Sequence, residues 1–255
     1  MRKKIAILWM ICLSILFMSC TNTKEEVKEI NISVAASLVD PINSIIEEYQ
    51  KENNIKINVN SGGSGTLKKQ ISEGAEIGIF FSASEKYVDD LIKEGLVSSD
   101  KKINPIGNTL VLIKNKSVND EFSEISDLVN LNKKIAIGEV STVPAGEYAK
   151  EALTNMNLWD SIESNTIYCK DVKAVKTYVE RGEVDYGFIY KSDSIDLKDS
   201  KIIAEVPEEY HKKIVYSLAP INGYEYSNEC NKFIEFINSD KGKEILEEYG
   251  FIVKS

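Results

Sequence analysis

Lys134-Ile-Ala-Ile-Gly-Glu-Val-Ser-Thr-Val-Pro-Ala-Gly-Glu-Tyr-Ala-Lys-Glu-Ala-Leu153 is the stretch from which the fold can be read. Ile135 to Ile137 is a short apolar run that suits a buried strand. Gly138 to Gly146 follows with Gly, Ser, Thr, Pro and Ala, a loop whose backbone can come close to a ligand. From Pro144 on, Tyr148, Ala149, Ala152, Leu153 and Met156 share one helical face, and Pro144 suits a first-turn position. Peptide N–H groups at such a helix start lack partners inside the helix, and the helix dipole places partial positive charge there. An anion can bind there without any charged side chain. One such junction alone reads as an ordinary strand-to-helix turn. The chain offers three more.

Ile30 to Ala36 alternates as a strand and meets Ser37, with Asp40 three residues on in a near capping box. Leu38, Ile42, Ile45, Ile46 and Tyr49 then form a helical stripe. Ile55, Ile57 and Val59 alternate into Ser61-Gly62-Gly63-Ser64-Gly65-Thr66 and a helix carrying Leu67 and Ile71. The strand Ile77 to Phe81 precedes a helix that Gly95 closes. Further on, the strand Thr166 to Cys169 meets Asp171, which caps a helix bearing Val172, Val175 and Val179; Tyr186 to Tyr190 is the next strand. Strands alternating with helices predict an α/β fold with parallel sheet, whose ligand sites lie beyond the strand C-terminal ends. Thr109 to Ile113 is a candidate crossing into a second lobe, and Lys213 to Ile221 is long enough to cross back. The expectation is a two-lobed clamshell with two crossing hinge strands, residues 30–107 plus 220–255 forming lobe 1 and 108–219 lobe 2.

Residues 1–19 stand outside this plan. Arg2-Lys3-Lys4 precedes the apolar or small run Ile5 to Met18, a charged start and a short hydrophobic region typical of a signal peptide. Cys20 after Ser19 resembles a bacterial lipoprotein signal, in which that cysteine becomes the lipidated first residue of the mature chain. The alternatives are an ordinary secretory signal or a retained anchor. Each places the remainder outside the cytoplasmic membrane, with residues 20–29 as a polar tether.

Composition narrows the function. The formal charge is −9, and −12 once the three basic residues of 1–19 are removed, which argues against nucleic acid as a partner. The lone histidine, His211, rules out a multi-histidine metal site, and no bare metal cation or cofactor is expected; His211 reads as a solvated loop residue in the run Glu208 to Lys213. Beside Cys12 and Cys20, only Cys169 and Cys230 remain, and no spacing supports a disulfide between them. Ser61-Gly-Gly-Ser-Gly-Thr66 lacks the nucleophile-elbow, phosphate-loop and dinucleotide patterns, so the chain reads as a non-enzyme. A secreted serine hydrolase using Ser37 or Ser64 is a rival reading, and so is a lipoprotein that only docks to other proteins.

Four junctions therefore stand out: Ala35-Ala36-Ser37, Ser61 to Gly65, Val143-Pro144-Ala145-Gly146 and Lys170-Asp171-Val172, with Tyr190 as a further phenolic donor. Hydroxyls and backbone N–H groups make a site of neutral donors, suited to a fully ionised oxyanion.

At these positions the chain resembles a known family. Ala35-Ala36-Ser37-Leu38, Gly63-Ser64-Gly65-Thr66-Leu67, Phe80-Phe81-Ser82-Ala83 and Val143-Pro144-Ala145-Gly146 are similar to segments of the molybdate-binding proteins of bacterial ATP-driven importers. So are Asp171-Val172, Gly187-Phe188-Ile189-Tyr190, His211-Lys212-Lys213 and Tyr249-Gly250-Phe251, in order from Ile32 to Val253. The resemblance implies a type II periplasmic-binding-protein-like clamshell that closes on molybdate or tungstate and delivers it to a membrane permease. It further implies ligand contacts from Ser37, Ser64, Ala145, Val172 and Tyr190. The polar tether and the ordinary apolar fraction lead to the expectation of a monomer, held to the cell membrane by the lipid on Cys20. The same fold tuned to another small oxyanion, such as sulfate, is the nearest alternative. Gly78 stands where the family commonly has an aspartate, and Gly65 where it frequently has a serine.

Overall fold

A computed structural model describes residues 27–254. The proposed signal peptide, Cys12, Cys20 and the tether up to residue 26 lie outside the described residues.

Two sheets organise the chain. In the first, β1 (Lys28–Ala35) lies between the parallel strands β2 (Ile55–Gly62) and β3 (Ile79–Ser82). Antiparallel β10 (Val215–Pro220) joins β3 to β4 (Ile103–Gly107), and β11 (Ile252–Val253) extends the far edge. The second sheet runs β7 (Thr166–Cys169), β6 (Ile135–Gly138), β8 (Tyr186–Tyr190), β5 (Leu110–Asn115), β9 (Ser200–Glu205). There β6 is parallel to both neighbours, and β5 is antiparallel to both of its own.

Helices cover both sheets. Between β1 and β2 runs α1 (Val39–Gln50), burying Pro41, Ile42, Ile45, Ile46 and Tyr49 at helical spacing. The parallel units continue with α2 (Ser64–Ser72) after β2 and α3 (Glu85–Lys93) after β3. In the second lobe, α4 (Pro144–Asn155) follows β6 and α5 (Val172–Glu180) follows β7. Near the end of the chain, α6 (Ser227–Ile237) and α7 (Asp240–Glu248) return to the first lobe, where Phe233 and Phe236 each pack 5.1 Å from the Tyr49 ring. Strands such as β3, β6 and β8 are buried along their whole length, as helix-covered sheet requires.

The chain crosses between lobes twice, at Asn108-Thr109 between β4 and β5 and through residues 206–214 between β9 and β10. The second crossing falls earlier than the boundary of 219/220 read from the sequence. All of β10 pairs with β3 and β4, so Val215 to Pro220 belong to the first lobe. Nothing in a continuous apolar run tells which sheet will receive it, which is why the boundary was displaced. Cys169 in β7 and Cys230 in α6 are free, buried and in different lobes.

Candidate functional site

The strand-to-helix junctions of both sheets meet where the lobes face each other. Ser37, Ser64, Ala145, Val172 and Tyr190 line one cavity there, together with Ala35, Ala36, Gly62, Gly63, Ala83, Val143 and Pro144. Every lining residue is electrically neutral. The void measures about 200 Å³. Such a space takes one small ligand and no chain-like one.

Each donor has a local reason for its direction. Ser37 sits in a single 3-10 turn, Ala36–Leu38, and caps no helix; its Oγ lies 2.8 Å from Tyr216 Oη. Ser64 opens α2 directly after Gly63, and its Oγ accepts the Ala83 N–H at 3.1 Å, which leaves its own hydrogen to give. Ala145 follows Pro144 in the first turn of α4, and Val172 heads α5, whose start Asp171 caps by accepting from the Ala174 N–H at 2.8 Å. Backbone N–H groups at these two positions have no acceptor within their helices. Tyr190 ends β8, 1% exposed, and its Oη has no hydrogen-bond partner. Burial above all, then electrostatic interaction with Tyr216, Tyr148 and Asp193, pushes its phenol well above the ordinary tyrosine value, so it remains an O–H donor.

Contacts across the cleft hold the lobes together around this cavity. Gly65 N–H donates to the Thr142 carbonyl at 2.8 Å, and Tyr87 Oη donates to the Ser141 carbonyl at 3.3 Å. At the rim, Lys86 pairs with Glu147 at 3.2 Å and Lys173 with Asp40 at 2.6 Å. A Cβ on Gly63 would come within 2.9 Å of Val143 Cγ2 and 3.0 Å of the Thr142 carbonyl; one on Gly65 would lie 2.8 Å from Thr142 Cα. Both glycines thus let the lobes approach. Gly78 is a packing requirement of a different kind, since a Cβ there would lie 2.5 Å from Cys230 Sγ.

Three polar residues beside the cavity carried no signal in the sequence. Tyr216 and Asn108 are buried and hydrogen-bonded to each other at 3.3 Å. Asp193, in the turn Lys191–Ser194 after β8, is buried with Oδ2 unpartnered, and burial pushes its carboxyl up to about 7 against the pull of Lys176 and Lys173. His211 is not a solvated loop residue. The residue is 7% exposed, its ring lies tilted with its centroid 5.8 Å from that of Tyr148, and Nδ1 is 2.8 Å from the Lys212 carbonyl. A polar stretch hides one inward-facing ring, because the stretch spans the gap between lobes. Among the described residues, no group of three or more His, Cys, Asp or Glu is placed to hold a metal ion.

Residues 30–252 match the family described as bacterial extracellular solute-binding protein. The chain belongs to that family. Relatives of this solute-binding protein include the Bacillus subtilis "Putative ABC transporter substrate-binding lipoprotein YvgL", 37% identical over 234 residues, with 91% of this chain and 89% of that protein covered. The molybdate-binding protein ModA of Haemophilus influenzae is 33% identical over 231 residues, covering 89% of this chain and 91% of that one. Among solved structures, the "substrate binding domain of putative molybdenum ABC transporter from Clostridium difficile" is 39% identical with a TM-score of 0.68, covering 89% of this chain and 99% of that one. Membership bears out the resemblance read from Val143-Pro144-Ala145-Gly146 and its companion segments, and the solute-binding protein has the two-lobed α/β clamshell expected of it.

Proposed function

We propose that this solute-binding protein captures molybdate or tungstate outside the cytoplasmic membrane and delivers it to the permease of an ATP-driven importer. The observation that carries the reading is a small cavity, lined by neutral residues alone, into which both lobes bring donors, one of them a buried tyrosine hydroxyl without a partner. In the reading, Ser37 and Ser64 give hydroxyl hydrogens, Ala145 and Val172 give backbone N–H groups, and Tyr190 gives its phenolic hydrogen. A tetrahedral dianion uses all of these donors and needs no acceptor. The names of the Haemophilus influenzae and Clostridium difficile proteins support the choice of oxyanion. In this reading the protein is a monomer, and its tethering by a lipid on Cys20 is supported by the lipoprotein name of the Bacillus subtilis relative.

Titration calorimetry with molybdate, tungstate, sulfate and phosphate tests this. Molybdate and tungstate should bind alike, being of nearly equal size. Sulfate is smaller and cannot reach every donor, and each charge-assisted hydrogen bond missed costs about 1.5–3 kcal/mol. Phosphate keeps a proton near neutrality and should compete poorly. No heat and no rise in thermal midpoint with molybdate would remove the ligand assignment.

A further inference from the structure

We infer that Asn108 and Tyr216 fix the Ser37 hydroxyl as a donor toward the cavity and so act as specificity-determining residues against oxyanions that carry a proton. The inference rests on the proposed oxyanion site and assigns to it two residues that line no part of the cavity.

The direction of each hydrogen follows from the one before it. Asn108 Oδ1 receives the N–H of Thr109 at 2.9 Å and the N–H of Ser192 at 3.4 Å. Neither donor can be reversed, so the amide is oriented with Nδ2 on the other side. Nδ2 then donates to Ser192 Oγ at 2.8 Å and to Tyr216 Oη at 3.3 Å. With Tyr216 Oη accepting from Asn108, its single hydrogen goes to Ser37 Oγ, 2.8 Å away. Ser37 thus accepts from inside the protein, and its own hydrogen is left for the cavity that it lines. Water does not reach the relay, since Asn108 is 4% exposed and Tyr216 is 0% exposed.

Ser64 shows the same arrangement by a shorter route, with the Ala83 N–H as its irreversible donor. At Ser37 the donor is a hydroxyl, which can turn round. The Asn108 amide shows Tyr216 only N–H, so Ser37 Oγ is the acceptor for the Tyr216 hydrogen; an acceptor at the amide position would let Ser37 donate to Tyr216 and leave an acceptor facing the ligand. A protonated oxyanion such as hydrogenphosphate needs such an acceptor; molybdate and sulfate do not. Asn108 also stands at the crossing between lobes and Ser192 in the second lobe, so the relay ties the first-lobe serine to the hinge.

The test is competitive calorimetry of molybdate and phosphate on the parent, Tyr216→Phe and Asn108→Asp. The aspartate is nearly isosteric and offers Tyr216 an acceptor, which reverses the relay. The ratio of molybdate to phosphate affinity should fall about tenfold or more in Asn108→Asp, equivalent to about 1.4 kcal/mol. A smaller fall is expected in Tyr216→Phe, where Ser37 is merely released. Arsenate, which also keeps a proton, should follow phosphate, and sulfate should follow molybdate. Affinities that drop for all four anions by the same factor mean a packing role only and overturn the inference. A parent that binds sulfate but not molybdate overturns the ligand assignment and leaves the relay to be judged on the sulfate-to-phosphate ratio. A parent that binds none of the four, or prefers phosphate, overturns both.

Discussion

Tyr190 carries a buried hydroxyl that the protein itself does not satisfy. Leaving such a group unpaired costs about 1–3 kcal/mol, and a hydrogen bond to a charged acceptor contributes about 1.5–3 kcal/mol. Tyr190→Phe should therefore weaken molybdate binding about ten- to 150-fold. The ligand-free melt should stay level or rise, because the substitution deletes an unpaired polar atom and keeps the ring. A clearly lowered melt with unchanged affinity would take Tyr190 out of the site. Asp193 lends itself to a second measurement. Its folded value, about 7, lies above the ordinary carboxyl value of 3.8, so the folded state holds the proton more tightly. The stability it contributes is full below the ordinary carboxyl range and is lost as pH rises through about 7. Asp193→Asn should gain melting temperature relative to the parent as pH is raised from about 5 to about 8. A constant difference across that range would show that Asp193 does not titrate there. These residues differ in how they could be read beforehand. Tyr190 closes the short aromatic strand Tyr186-Gly-Phe-Ile-Tyr190, a local pattern. Asp193 sits among Lys191-Ser-Asp-Ser194, where nothing local marks burial, and Tyr216 in Val215-Tyr-Ser-Leu218 looks like any strand aromatic. Their meaning lies in partners far along the chain, such as Ser37 for Tyr216, and linear order does not display these.

Junctions rather than single side chains build the site, and two glycines separate the roles of junction and lobe. Gly146 lies wholly inside the second lobe, where an added Cβ would fall 1.9 Å from the Gly138 carbonyl oxygen. Gly146→Ala should push the start of α4 off the end of β6 and lower the ligand-free stability by about 1–3 kcal/mol or more. Gly63 belongs to the first lobe, but the atoms nearest to its added Cβ, on Val143, Thr142 and Lys170, belong to the second. Its backbone at φ −63° and ψ 131° suits alanine equally well. Gly63→Ala should therefore spare the ligand-free melt and wedge the closed form apart, weakening molybdate binding about five- to 150-fold for a similar overpacking cost. Equal melts with equal affinity would mean that the lobes accommodate the methyl. The strand-turn-helix order of these junctions was legible in the sequence because small residues and apolar periodicity are local. Which side chain would cap was less so. Asp171 does cap α5, whereas Ser37 and Asp40 make no capping box, since Ser37 turns to Tyr216.

At the scale of the whole protein, charge and site oppose each other. The chain carries a formal charge of −9, and the cavity is lined by no charged residue. Under the proposed function, a dianion approaches against the overall field and is held by dipoles once inside. Raising ionic strength from about 0.01 M to about 0.1 M shortens the Debye length from about 30 Å to about 10 Å. Association of molybdate, followed by stopped flow, should speed up a few-fold over that range. Slower association would instead indicate a local positive potential at the cleft mouth that outweighs the net charge. The rim pairs Lys86–Glu147 and Lys173–Asp40 are partly exposed, so each should contribute at most about 1 kcal/mol to closure.

The place of β10 has a consequence for the order in which the chain takes shape. It separates β3 from β4 in the first sheet, and β11 follows it at the edge, so that sheet is completed by the last strands to be synthesised. The five strands of the second sheet all lie between Leu110 and Glu205, one uninterrupted segment. During synthesis the second lobe can thus close while the first, although begun earlier, still exposes the edge of β3, an apolar strand otherwise buried along its length. The amino-terminal lobe is then the later one to mature, and a chain that ended before Val215 would join a complete second sheet to an adhesive, unfinished first one.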